Sequence, residues 1–208
     1  MLMSTNKTVT VDDPDFWERL YQTSTLPWDI GGPAPPLISF LDSPYTVPPG
    51  SIAVVGCGTG HDCMLFASHG FQVTGIDFAP SAIQSTYQKF LDAGIAGTSG
   101  FLLERDTFHL HEYTNYFDYV LEHNFFTSID PSRRRTYAHA MRDLLKPGGK
   151  LIALWWVLDR PGGPPFGVAR DALFSMFGEF FSFDIVFVPT NSVPARKGTE
   201  LFTLMTRR

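Results

Sequence analysis

Ser51-Ile52-Ala53-Val54-Val55-Gly56-Cys57-Gly58-Thr59-Gly60-His61-Asp62 is the stretch whose reading decides the fold. Its first five residues are a short β-branched run preceded by the Pro48-Pro49-Gly50 turn, the pattern of a buried strand. Glycines at 56, 58 and 60 then let the backbone bend tightly and come close to a ligand. Helix signals beginning at His61 place a helix N-terminus at the end of that loop. The spacing is not the G-x-G-x-x-G of dinucleotide sites.

Strands and helices alternate outward from this loop. Residues 61–68 read as a helix, 72–76 as a strand, 80–91 as a helix, 101–104 and 119–122 as strands, and 131–145 as a helix. The last of these stops at Lys146-Pro147-Gly148-Gly149, and 150–156 is a fifth strand. Repeated strand–helix units imply a parallel sheet covered on both faces. Two further strands, 180–188 and 200–206, have no helix between them and predict an antiparallel finish. The expected fold is therefore α/β and Rossmann-like, a seven-stranded, mostly parallel sheet with an antiparallel C-terminal hairpin.

Upstream, Asp12-Asp13-Pro14 reads as a helix start, with Phe16, Trp17, Leu20 and Tyr21 on one face. After Thr25 the chain is proline-rich and irregular, and 36–41 is a second short helix. We read residues 1–208 as one domain, with 1–47 forming a helical cap and 48–208 the Rossmann-like core.

The formal net charge of −5 argues against a nucleic-acid partner, which would require a concentrated basic surface. Arg133-Arg134-Arg135 is the one basic run and reads as a solvated helix face. Cys57 and Cys63, without a His/Cys array, form neither a zinc site nor a disulfide framework, so no metal is expected. The polar stretch from Met1 to Val11 has no apolar core, and no run of 18 apolar residues occurs. The expectation is a cytoplasmic protein without membrane association, monomeric or weakly self-associating, acting on a small molecule.

Asp77 ends the second strand about twenty residues beyond the glycine loop, where a carboxylate can accept from both hydroxyls of a ribose. Asp106, after the third strand, is placed to accept from an adenine amino group, with Thr107 and Phe108 beside the ring. This ordered set points to S-adenosylmethionine more than to NAD.

These residues, with others, carry a family resemblance. Pro27-Trp28-Asp29-Ile30-Gly31, Pro35-Pro36-Leu37, Gly56-Cys57-Gly58-Thr59-Gly60-His61-Asp62 and Gly75-Ile76-Asp77 belong to it. So do Phe117-Asp118-Tyr119, Phe125-Phe126, Leu145-Lys146-Pro147-Gly148-Gly149, Gly162-Gly163-Pro164-Pro165-Phe166 and Arg196-Lys197-Gly198-Thr199-Glu200. The chain resembles class I methyltransferases, within them the thiopurine S-methyltransferase superfamily, and most closely its halide/thiol branch. The resemblance implies that Trp28 closes over S-adenosylmethionine, the 56–60 loop holds its methionine end, Asp77 its ribose and Asp106 its adenine. The full set expected at the cofactor is Trp17, Trp28, Gly31, Gly56, Cys57, Gly58, Gly60, Asp62, Asp77, Phe78, Asp106, Thr107, Phe108 and Glu122. The product there is S-adenosylhomocysteine.

Glu122 and His123 stand where that branch usually has Asp-Tyr, and Trp156 where plant relatives tend to carry Tyr. The acceptor pocket is expected from Trp28, Phe125, Phe126, Trp156 and Phe166. Phe16, Trp17 and Trp155 are further rings that can line it, although neighbouring strand residues such as 155 and 156 face opposite ways. A thiol with a pKa near 8.5 needs help to ionise at neutral pH. Glu122 or His123 is the expected base and Trp156 an expected participant, while His61 is assigned to packing of the cofactor loop. The expected activity is in-line methyl transfer to a small thiol or similar soft anion. Transfer to nitrogen or oxygen of a metabolite, or cofactor binding without turnover, are the alternatives.

Overall fold

A computed structural model describes residues 9–23 and 26–208. The start of the polar N-terminal stretch and Thr25 lie outside the described residues. Seven strands form one sheet: β1 (Ser51–Val55), β2 (Gln72–Asp77), β3 (Gly100–Glu104), β4 (Phe117–His123), β5 (Leu145–Trp156), β6 (Phe181–Phe187) and β7 (Glu200–Arg207). Their order is β3-β2-β1-β4-β5-β7-β6. β1 to β5 pair in parallel, and β7 runs antiparallel to both β5 and β6. The expected class and order of elements are therefore present.

The sheet separates two apolar layers, as the two-residue period of a strand requires. Ile52, Val54, Leu121 and Leu154 face α2 (Pro35–Leu41), α3 (His61–Ser68) and α4 (Pro80–Asp92), where Leu37, Phe40, Phe66 and Phe90 are buried. Ala53, Val55, Val120 and Trp155 face α5 (Arg134–Leu144) and α6 (Arg170–Phe177), against Tyr137, Met141 and Phe177. Burying rings of this size contributes about 2 kcal/mol or more each, before chain entropy is counted. α2 thus covers the sheet itself, with Phe40 against Phe202 at 4.9 Å between ring centres.

α1 (Pro14–Tyr21) has no buried residue and belongs to no apolar layer. What docks it is Glu18, whose carboxylate accepts from the Ser81 amide at 2.9 Å and the Ser81 hydroxyl at 2.5 Å. Ser81 lies in the first turn of α4, where free amides and the helix dipole favour an anion.

Three elements differ from the expectation. β5 begins at Leu145 and takes in Lys146-Pro147-Gly148-Gly149, which the sequence reads as a turn before a strand over 150–156. α6 has no counterpart in the sequence reading, because Arg170 and Asp171 follow the Gly- and Pro-rich segment 161–167 and only Leu173 and Phe177 are buried. The helix expected over 131–145 begins as a single 3-10 turn, Pro131–Arg133, capped by the Asp130 side chain. Its α-helical part starts at Arg134.

Candidate active site

The carboxyl ends of β1, β2 and β4 lie side by side, since Val55 pairs with Ile76 on one flank and Glu122 on the other. Loops leaving these ends build the site, as they do in open α/β sheets generally. The loop after β1 runs through Gly56, Gly58 and Gly60, all with positive φ. A Cβ at Gly56 would fall 2.4 Å from the Phe125 ring, so no larger residue fits there. Gly60 precedes α3 in the left-handed conformation, and its Cβ would strike Thr86 at 2.6 Å.

A cavity of about 890 Å³, its open mouth included, lies over this loop. It is lined by Trp17, Tyr21, Trp28, Gly56, Cys57, Gly58, Asp62, Asp77, Phe78, His123 and Phe125 among others. A smaller cavity continues from it past Trp17, Gly56, Asp77, Phe78 and Phe125 to Asp106, Thr107 and Phe108. The two share the Asp77 tip. The arrangement suits an elongated ligand lying across the sheet ends.

Asp77 is buried, and its carboxylate accepts from the amides of Gly58 at 3.1 Å and Ala79 at 3.0 Å. Burial pushes it up to about 6 despite those amides. Asp106 accepts from its neighbours Phe108 and His109, both at 3.0 Å. The Phe108 ring carries the Arg133 guanidinium 3.8 Å from its centre.

The wall opposite the glycine loop comes from the N-terminal segment. Trp28 meets the edges of Trp17 and Tyr21 at 5.5 and 5.6 Å. Asp29 fastens this wall to the loop by accepting from the Thr59 hydroxyl and the Gly31 amide, each at 2.7 Å. His61 Nε2 stands 3.4 Å from the same carboxylate. Burial works against ionisation of Asp29, but Thr59, Gly31 and His61 outweigh it and hold its carboxyl low.

A largely buried polar chain also lines the cavity. Asp62 accepts from His123 Nδ1 at 2.6 Å, and the Nε2 of the same ring lies 3.2 Å from an Arg196 nitrogen. A guanidinium only donates, so Nε2 must accept and Nδ1 carries the proton. Burial opposes the charged ring, Asp62 favours it more strongly, and the net direction is upward. Arg196 also donates to the Trp28 carbonyl at 2.7 Å and pairs with Glu200 at 3.6 Å, all but sealed from solvent.

Several expected residues are elsewhere. Glu122 points to the α5 face, because its neighbour His123 points to the α3 face. It is fully buried, accepts from the Phe126 amide at 3.0 Å and the Tyr137 hydroxyl, and does not line the cavity. Burial pushes it up to about 7. In this structure it is a buried carboxyl bonded to Phe126 and Tyr137, away from the cavity lining. Phe126 is likewise core, packed on Tyr137, Trp155 and Phe177. Trp156 lies outside the cavity, its Nε1 donating to Thr199 at 3.1 Å and its ring flanked by Arg196. Phe166 is tied to Thr127 through its amide and also stands apart. Gly31 is held in the turn that Asp29 caps, while its neighbours Ile30 and Gly32 line the cavity. Gly60 acts through the loop's shape alone.

Sequence reasoning missed Tyr21, Asp29, His61, Asn124 and Arg196 as lining residues. Asp29, His61 and Arg196 were inside quoted motifs, but nothing in one sequence says that residues 168 positions apart, Trp28 and Arg196, meet. Among the described residues no group of three or more His, Cys, Asp or Glu is placed to hold a metal ion, and no helix is long and apolar enough to cross a membrane.

Comparison with known proteins agrees with this geometry. A model of the thiopurine S-methyltransferase family matches residues 12–200. Thiocyanate methyltransferase 1 of Arabidopsis thaliana is 34% identical over 190 residues, covering 88% of this chain and 81% of the relative. Probable thiol methyltransferase 2 of the same plant is 37% identical over 154 residues, covering 74% and 67%. Among solved structures, one described as "Conversion of a Disulfide Bond into a Thioacetal Group during Echinomycin Biosynthesis" superposes with a TM-score of 0.78. It is 22% identical, over 94% of this chain and 93% of that one, and establishes likeness of fold.

Proposed function

The chain belongs to the thiopurine S-methyltransferase family, and from that premise we propose that it methylates a small thiol or a related soft anion such as thiocyanate. It is an S-adenosylmethionine-dependent S-methyltransferase. The residues present fit this cofactor. A buried carboxylate faces the cavity at Asp77, the glycine loop brings backbone close beside it with no side chain at 56, 58 or 60, and the cavity continues to Asp106 and Phe108.

The observation that carries the acceptor reading is the ring-walled end of the same cavity, where the buried Arg196 reaches the Trp28 carbonyl and lies beside His123. Bound S-adenosylmethionine supplies an electrophilic methyl on a sulfonium, so the protein has no covalent intermediate to form. Its tasks are to hold, align and dry the reactants. Asp77 would hold the ribose by accepting from its hydroxyls. Trp17, Tyr21 and Trp28 exclude water, which would otherwise solvate an anionic sulfur better than the transition state in which its charge is being cancelled. Arg196 favours an anion at that end, offset in part by Glu200 at 3.6 Å.

The test is an initial-rate comparison with S-adenosylmethionine and four acceptors: 2-mercaptoethanol, thiocyanate, iodide and a primary amine. Higher kcat/KM for the thiol and thiocyanate than for the amine supports the reading. Preference for the amine rejects it.

A further inference from the structure

We propose that His61, oriented by Asp29, accepts the proton of the thiol during methyl transfer. This rests on the acceptor reading above. The expected bases do not serve. Glu122 is behind the sheet face, bonded to Phe126 and Tyr137. His123 has both ring nitrogens engaged, Nδ1 by Asp62 and Nε2 by Arg196. With Nε2 already accepting from Arg196, neither nitrogen is open to a thiol proton.

His61 is in a different position. It lines the cavity, its side chain is 27% exposed, and Nε2 stands 3.4 Å from the Asp29 carboxylate. Asp29 is itself fixed by Thr59 and Gly31, so its negative charge favours the tautomer with the proton on Nε2. Nδ1 then keeps a lone pair, and among the described residues no partner meets that nitrogen. A nucleophile's base backed by an orienting carboxylate is the arrangement that acyl-transfer enzymes also use, here applied to a thiol.

The balance is simple. The acceptor's S–H bond breaks, an N–H bond forms at His61 Nδ1, and the sulfur electron pair released attacks the methyl carbon. The methyl's bond to the sulfonium breaks, leaving a neutral thioether, and the imidazolium passes its proton to water. The charged and titratable groups around His61 are Asp29 from the N-terminal wall, Asp62 on its own helix, and His123 and Arg196 across the cavity. Lys89 of α4 acts on Asp29.

The experiment compares wild-type protein with His61→Gln, using 2-mercaptoethanol, which is protonated at neutral pH, and thiocyanate, which has no proton to lose. We expect kcat/KM at pH 7 to fall by about 10²-fold for the thiol, the usual worth of a positioned base. The loss for thiocyanate should be at least tenfold smaller. The thiol deficit should shrink as pH approaches the thiol's own pKa. Equal losses for both acceptors at all pH values would overturn the proposal. So would a fall in S-adenosylmethionine affinity, measured by calorimetry, large enough to account for the loss. If the wild-type protein itself methylates neither acceptor, the acceptor reading fails, and this inference falls with it.

Discussion

Arg196 donates to the carbonyl oxygen of Trp28 at 2.7 Å, joining the turn before β7 to the aromatic wall of the cofactor cavity. One side chain thereby touches three parts of the site, since it also meets His123 and Glu200. Its own aliphatic stem and head are buried, so the contact depends on the charge network being complete. Removing one member of a buried pair costs far more than the pair itself is worth.

Arg196→Ala is therefore expected to destabilise the protein by about 3 kcal/mol or more, because Glu200 is left buried without a counter-charge, with the Asn124 amide at 3.5 Å as its side-chain donor. Denaturant unfolding of the two proteins measures this. A loss below about 1 kcal/mol would show that Glu200 finds water or another partner.

Gly56→Ala places a Cβ 2.4 Å from Phe125 at a φ of +60. The strained backbone and the displaced ring together should cost about 1–3 kcal/mol and weaken S-adenosylmethionine binding at least tenfold by calorimetry. Unchanged affinity would mean that Phe125 moves without disturbing the loop.

Asp77→Asn should weaken S-adenosylmethionine binding yet stabilise the free protein at pH 7 to 8. The sign follows from the folded carboxyl titrating near 6, above its ordinary value. Between those two values the folded state binds more protons than the unfolded state, so stability falls as pH rises. Asn removes this penalty. A variant less stable than wild type at pH 8 would refute the burial argument.

Glu122→Gln tests the reassignment of that residue to the core. Burial pushes Glu122 up to about 7, so its ionisation destabilises the fold progressively as pH passes from about 4.5 through 7. The amide can still accept from Phe126 and meet the Tyr137 hydroxyl. We expect a stability gain of order 1–3 kcal/mol at pH 8, shrinking below pH 5, with kcat/KM for 2-mercaptoethanol within about threefold of wild type. A loss of turnover of about 10²-fold at unchanged stability, the usual worth of a base, would return Glu122 to the chemistry.

The sheet was legible because its signals are local. β1 is a five-residue strand, apolar from Ile52 to Val55, between a proline turn and a glycine loop, and α3 and α4 begin where loop glycines and Pro80 say they should. Asp77 and Asp106 were legible from their places at strand ends. Which of Glu122 and His123 faces the cavity was not legible, since strand alternation says only that the two face opposite layers. The Asp29–Thr59 and Trp28–Arg196 contacts were not legible at all. They join residues far apart in the chain, and the motifs containing them look like separate loops until the fold brings them to one cavity. α6 escaped for the opposite reason, because it is short and only two of its residues are buried.

The central claim is that the methyl group goes to sulfur. The most direct measurement is a single competition reaction with ¹³C-methyl S-adenosylmethionine, 2-mercaptoethanol, thiocyanate and a primary amine in equal amounts, read by carbon NMR. The account predicts S-methyl resonances as the dominant products. A dominant N-methyl resonance would contradict it.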